Sequence, residues 1–244
     1  MSNDHRWLIL RLEAPLLAFG GVAIDQVGVT RDFPAASMLT GMIANALGWE
    51  RTDWDAHQSL QDRLVFAARR DRENPLGLLT DMQNAKLEKN DKGWTTRGQP
   101  EGRDGATYDS PHRRQRFYHA DACVTVALRL QSFDTAPSLD AVIEAFKFPA
   151  RPIFFGRKPC LPSMPIVCGE IRAVSAYEAL RRFPACEDSE RTVRASWPIA
   201  EGPTSGGEVH RIVALPDLRN WKTGLHGGTR TVVEGSINLT EETQ

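Results

Sequence analysis

Ala122-Cys123-Val124-Thr125-Val126-Ala127-Leu128-Arg129-Leu130 is the stretch on which the fold turns. Rich in apolar and β-branched residues, it reads as a strand. Downstream, Pro137 precedes a helix whose Leu139, Val142, Ile143 and Phe146 lie on one face. Upstream, from about Gly77 to Pro111, apolar periodicity is lost. That segment carries Lys86, Lys89, Lys92, Trp94, Arg97, Arg103 and Tyr108 with four glycines interspersed. So long a stretch without its own core is uncommon inside a compact domain, and a poorly ordered hairpin is expected there. Before it, Leu64 to Arg70 reads as a half-buried strand. Phe33-Pro34-Ala35-Ala36-Ser37 opens a helix that carries Met38, Leu39, Met42, Ile43, Ala46 and Leu47 at helical spacing and stops at Gly48. Either Pro34 in the first turn or Ser37 as a cap suits that start. His5 to Glu13 alternates as a strand, Ala14-Pro15 ends it, and Phe19-Gly20-Gly21 marks a turn.

Strand, helix, strand, excursion, strand, helix is the order of a ferredoxin-like unit, an α+β architecture shared with RNA-recognition modules. From about Pro149 the chain is rich in Pro and Gly, with short apolar runs at Pro152 to Phe155, Pro165 to Val167 and Val209 to Leu215. The expectation is a ferredoxin-like domain over residues 1–149, with a hairpin insertion at about 77–113, followed by a small, mostly β domain over 150–244.

The chain has 244 residues, enough for one large or two small domains. Apolar residues at 41% and charged residues at 25% are ordinary globular values. A net charge of -1 excludes a polycation that coats nucleic acid in bulk but leaves room for a local basic groove. Of the 30 cations 24 are Arg. Arg suits bidentate phosphate contact, although a GC-rich coding bias produces the same total. Arg11 and Glu13 interrupt the first apolar run too early for a signal-peptide core. The longest apolar stretch, Pro15 to Ile24, falls far short of the ~20 residues a spanning helix needs. Cys123, Cys160, Cys168 and Cys186 form no Cys-x-x-Cys pair and read as scattered reduced thiols, which points to the cytoplasm and away from membranes.

Two windows are locally basic. His112-Arg113-Arg114-Gln115-Arg116-Phe117-Tyr118-His119 has three Arg and no acid. Lys147 to Lys158 has four cations, three aromatics and no acid. Cations interleaved with aromatics suit a single-stranded nucleic acid, whose phosphates and base faces both need partners. An ordinary solvated edge with core aromatics fits either window equally well, and it is their coincidence with the ferredoxin-like order that favours RNA. No Walker phosphate loop, His-Glu-x-x-His or Gly-x-Ser-x-Gly motif occurs. The glycine-rich Leu225-His226-Gly227-Gly228-Thr229-Arg230 reads as a loop, with a phosphate cradle as the lesser reading. His112, Tyr118 and His119 are the only candidates for general acid/base work on RNA.

Four segments carry a family resemblance. They are Leu8 to Pro15 with Ala18-Phe19-Gly20; Phe33-Pro34-Ala35-Ala36-Ser37 and its helix to Gly48; Arg116-Phe117-Tyr118-His119-Ala120-Asp121-Ala122; and Gly156-Arg157-Lys158-Pro159-Cys160-Leu161-Pro162. In these the chain resembles the CasD-type subunits of the type I-E CRISPR Cascade complex, the Cas-five branch of the RAMP superfamily. The last segment is the most specific of the four, and together they span most of residues 8–165.

The resemblance implies a ferredoxin-like domain with a protruding thumb hairpin and a small C-terminal β domain. It implies a non-catalytic subunit, without cofactor or metal, that caps the 5′ handle of the CRISPR RNA. It implies contact with the adjacent backbone subunit and the large subunit, and double-stranded target DNA reached through the assembled complex in antiviral defence. Arg113, Arg114, Arg116, Arg151, Arg157 and Lys158 are the expected phosphate ligands, and Tyr118 is the expected stacking residue. Phe19 and Trp94 are further candidates for stacking, and Arg97 for thumb contact. The family often has Thr-Arg before the helix-start Ser; Ala35-Ala36 stand there here, leaving Ser37 and the backbone amides of the helix start to hold a phosphate. The alternative is a metal-independent endoribonuclease that processes precursor CRISPR RNA, as in the type I-C branch.

Overall fold

The structure is a computed structural model that describes residues 4–21, 25–85, 93–94, 100–101, 112–132, 134–186 and 189–239. In chain order its elements are β1 (His5–Leu17), β2 (Val27–Gly28), α1 (Ala36–Ala46), α2 (Trp54–Arg63), β3 (Leu64–Arg72), β4 (Leu78–Ala85), β5 (Gly93–Trp94), β6 (Pro100–Glu101), β7 (His112–Leu130), α3 (Leu139–Lys147), β8 (Val167–Ala173), α4 (Ala176–Arg182), β9 (Thr192–Pro198), β10 (Val209–Leu215) and β11 (Arg230–Asn238). This is an α+β fold. One large sheet runs in the order β10-β11-β9-β3-β7-β1-β8, and β2 and β4 pair with the remaining half of β7. The division expected at residue 149/150 falls between α3 and β8, and strands from both sides of it share this sheet. Among the described residues no helix is long and apolar enough to cross a membrane.

β1 continues past Ala14-Pro15, where the sequence suggested an end. Ala14 pairs with Ala122 and Leu16 with Ala120, so Pro15 falls between paired positions, where its missing N–H is not needed by the ladder. β1 is covered on both faces. Leu8, Leu10 and Leu12 join a core with α1, α2 and α3, through Leu39, Ile43, Leu60, Val142 and Phe146. Trp7 and Ile9 join a second core with α4, β9 and β11, through Ala179, Leu180, Ala195, Trp197 and Val233. At about 25 cal/mol per Å² of apolar surface removed from water, burial on both faces makes the sheet's middle strands the chief source of stability.

α3 begins just after Pro137, as expected, and the Ser138 hydroxyl caps it, accepting from the Ala141 N–H at 3.2 Å. α1 ends at Gly48, whose φ of +79° suits glycine. α2 escaped the apolar pattern because its inward residues include His57, Gln61 and Arg63, held by hydrogen bonds instead of apolar contact. Pro152 to Phe155 was read as one of the β domain's apolar runs and forms no strand; Ile153 and Phe155 fill the first core from a loop.

β3 is more deeply buried than the half-buried strand expected. Arg69 is fully enclosed and bonds Asp71 Oδ1 through Nε at 2.6 Å. Its remaining donors reach the carbonyls of Leu180, Phe183 and Pro184, tying the end of α4 to the sheet. Removing one partner of a buried pair strands the other charge. Arg69→Met should therefore lower unfolding free energy by about 3–5 kcal/mol in urea titrations. A loss under about 1 kcal/mol would show that the pair contributes little.

Candidate nucleic-acid interface

β7 extends beyond its partner β3 into a limb paired with β4, from Leu78↔His119 to Ala85↔His112. β2 pairs parallel to the same limb through Val27↔Gln115 and Gly28↔Arg116. The two-residue period of a strand puts Arg114, Arg116 and Tyr118 on one side of the limb. Arg157 arrives on that side from the loop after Phe155. Its guanidinium lies 4.8 Å from the Tyr118 ring centroid and donates to the carbonyls of Phe117, Gly28 and Val29 at 2.9–3.1 Å. A Cβ on Gly28 would sit 3.1 Å from Arg157 Nη2 and 3.3 Å from Arg116 Nη1. Two guanidinium groups thus converge over a glycine. Among the described residues, none of Arg113, Arg114, Arg116, Arg157 and Lys158 forms an ion pair with a carboxylate. Like charges held this close favour an anion between or across them.

A groove of about 730 Å³ adjoins this site, lined among others by Phe19, Gly20, Ser37, Met38, Phe154 and Trp221. Gly156 closes one end. With φ +80° and a Cβ position 1.8 Å from the Ala18 carbonyl oxygen, it admits no other residue without a backbone shift. The far wall is the loop of residues 216–228. Gln61 reads that loop's backbone, donating to Arg219 O at 2.9 Å and accepting from Arg219 N at 3.1 Å. Arg219 lies over Trp221 at 5.0 Å, and its buried Nε finds no acceptor among the described residues. Arg31 and His226 add polar groups to the rim. An apolar floor with cationic edges suits a planar base carried on an anionic backbone.

Several expected ligands sit elsewhere or are already engaged. Ser37 lines the groove but does not cap α1: the cap falls two residues earlier, at Ala35, with no side-chain cap of its own. Asp217 takes that place, its Oδ2 accepting from Ala36 N at 2.9 Å and its carbonyl from Ser37 N at 3.2 Å. The first two helix amides are therefore occupied by the carboxylate and the carbonyl of Asp217, and Arg230 neutralises the carboxylate at 2.9 Å. Arg151 is drawn to the opposite end of α1, where it pairs with Glu50 and donates to Trp49 O at 2.7 Å, so it does not face the groove. Phe19 and Tyr118 are almost wholly buried in the first core, Phe19 packed on His119 beneath the groove and Tyr118 covered by Arg157. Lys158 is exposed. Trp94 lies in β5 with its side chain outside the description, and Arg97 lies outside the described residues. The loop around Asp217, Arg219 and Trp221 was missed because its role depends on α1 and α2, more than 150 residues away in sequence.

His119 joins the limb to the groove. Arg70 donates to its Nδ1 at 3.1 Å, and its Nε2–H donates to Arg31 O at 2.8 Å, which fixes the neutral tautomer. Burial lowers its pKa below 6.5, with the Arg70 charge acting in the same direction. A depressed folded-state pKa means that the unfolded chain binds the proton more tightly. Its contribution to stability is complete above about pH 6.5 and fades as pH falls from there towards the folded-state value. His119→Gln can keep both hydrogen bonds without titrating, so it should flatten the Tm profile between about pH 7.5 and 5.5. An unchanged profile would remove His119 as the sensor.

Comparison with known proteins agrees with this architecture. A family model described as CRISPR-associated protein (Cas_Cas5) matches residues 7–233. The CRISPR system Cascade subunit CasD of Escherichia coli (strain K12) is 28% identical over 177 residues, covering 72% of this chain and 76% of that one. A chain of a CRISPR RNA-guided surveillance complex superposes with a TM-score of 0.66 at 21% identity, over 96% of this chain and 90% of its own. A chain from a structure titled "Crystal structure of Cas protein" gives 0.61 at 22% identity, over 98% and 100%. The latter two likenesses bear on the fold, and the family match on membership: the chain belongs to the CRISPR-associated Cas_Cas5 family.

Proposed function

We propose that this protein is a non-catalytic subunit of a type I-E CRISPR RNA-guided surveillance complex that grips the 5′ handle of the CRISPR RNA. The observation that carries the reading is the convergence of Arg116 and Arg157 over Gly28 beside the groove, with Arg114 on the same side of β7 and no carboxylate partner for any of them among the described residues. Phosphates of the handle lie along Arg114, Arg116 and Arg157, with Lys158 as an outer contact. A base enters the groove between Phe154 and Trp221, within reach of the Ser37 hydroxyl. The similarity to an Escherichia coli Cascade subunit supports the setting.

The strand order β3-β7-β1-β8, with α1 and α3 on one face, supports a ferredoxin-like unit that β8 completes from beyond residue 149. In this reading the β4–β7 limb is the base of a thumb that meets the adjacent backbone subunit, and the large subunit docks nearby. Target DNA is met through the assembled complex, in the cytoplasm.

The ribonuclease alternative is weakened by the same geometry. Both ring nitrogens of His119 are spent within the protein, and the Tyr118 ring lies beneath Arg157; the side chain of His112, the third candidate, lies outside the description. A general base must reach the 2′-hydroxyl proton that it removes.

Arg116→Ala removes a cation that makes no hydrogen bond within the described structure, so it should leave Tm unchanged. It should weaken binding of a handle-length RNA by roughly tenfold, and the slope of log K against log salt should fall by about 0.7. An unchanged slope excludes Arg116 as a phosphate ligand. Repeat RNA incubated with the protein in EDTA should stay intact; site-specific cleavage would overturn the non-catalytic reading.

A further inference from the structure

Cys123 and Cys186 are far apart in sequence, with no spacing that pairs them. The fold brings both sulfur atoms and a carboxylate oxygen of Asp71 within 4.8 Å of one another. Cys123 is on β7 and fully enclosed, whereas Cys186 follows α4 and keeps 7% of its surface open. A cavity of about 290 Å³ opens beside Asp71, lined also by Arg72, Glu190 and Val193. Neither sulfur lines that cavity, which reaches the pair only through Asp71; the opening for a small polar molecule is the exposed part of Cys186 itself.

Three donor groups so placed invite a metal ion, but Asp71 is already spent. Its Oδ1 accepts from Arg69 at 2.6 Å, and its Oδ2 accepts from the Thr125 hydroxyl at 2.7 Å and Cys186 N at 3.2 Å. A divalent ion would displace those bonds and face the enclosed Arg69 guanidinium. Two thiols remain, their sulfur atoms within 4.8 Å of each other. Interaction within the pair holds the Cys186 thiol below its ordinary range and, together with burial, pushes Cys123 up. The arrangement is an attacking thiol with a resolving thiol beside it.

We propose that Cys123 and Cys186 are a thiol-oxidation site that takes a hydroperoxide and closes to a reversible disulfide, tethering β7 to the segment after α4. The Cys186 sulfur attacks the outer peroxide oxygen. The O–O bond breaks, the hydroperoxide is reduced to its alcohol, and Cys186 is oxidised to a sulfenic acid. The Cys123 sulfur then attacks that sulfur, the S–O bond breaks, and hydroxide leaves with the Cys123 proton as water. Two thiols and one hydroperoxide thus give one disulfide, one alcohol and one water, and a dithiol reverses the change by exchange. The tether needs no large movement, because Arg69 already holds the carbonyls of Leu180, Phe183 and Pro184 against the sheet.

The test treats the full chain with hydrogen peroxide, alkylates it and maps peptides without reduction. Of the four thiols, two should become resistant to alkylation. A Cys123–Cys186 linked peptide should appear and disappear with dithiothreitol. Closing a long loop should raise Tm by on the order of 5 °C. Cys186→Ser, at the less enclosed position, should abolish both changes; Cys168→Ser should abolish neither. Four alkylated thiols, a bridge to Cys160 or Cys168, or sulfinic acid at Cys186 without a link would overturn the site. Stoichiometric zinc that blocks the oxidation would replace it with a metal centre. A link without a rise in Tm would overturn the tether.

Discussion

The 19-residue strand β7 must satisfy its backbone hydrogen bonds along its whole length, and the rest of the molecule follows from how it does so. From Leu130 to Cys123 it pairs with β3, and from His119 to His112 it pairs with β4. Between the two, Asp121 takes φ +47° and the β3 ladder shifts register. Asp is among the residues that tolerate that conformation. Arg72 secures the turn by bonding the Asp121 carbonyl and carboxylate at 3.0–3.1 Å. One strand therefore leaves the core carrying three arginines into solvent, and rigid packing at its buried half sets where they point.

The same principle accounts for part of the arginine excess. Among the described residues three arginines, Arg63, Arg69 and Arg157, each donate to three or more backbone carbonyls. Arg63 serves Gln131, Ser132, Ala136 and Pro137, and Arg69 serves three carbonyls at the end of α4. Arg157 does so while keeping its charge unpaired beside Arg116. A lysine carries one compact ammonium and cannot span such carbonyls with a planar fork. Composition alone could not separate these structural arginines from a binding face.

The groove depends on a comparable substitution. A helix N-terminus attracts anions, and α1 has met that need internally with Asp217. The cost is that the helix start no longer offers its amides to a ligand; the gain is that the 216–228 loop is fixed as a wall. The aromatic side chains follow the same logic. Phe19 and Tyr118 are most useful to the fold as core, and the half-buried Trp221 shapes the groove instead.

Local chemistry made much of the protein legible in sequence. Apolar periodicity located β1, β3, β7, α1 and α3; Pro137 and Gly48 marked helix ends; and the acid-free window around Arg113, Arg114 and Arg116 marked the basic limb. These signals act between residues a few positions apart, where spacing translates directly into a shared face. What required the tertiary structure was every pairing across long sequence distance: Asp217 on α1, Gln61 on the 216–228 loop, Arg151 on Glu50, Arg69 on the carbonyls after α4, and Cys123 beside Cys186. In each of these a polar group is satisfied, or brought to its partner, by a residue from a distant segment. Burial demands that such partners exist, but no local spacing says which residue supplies them.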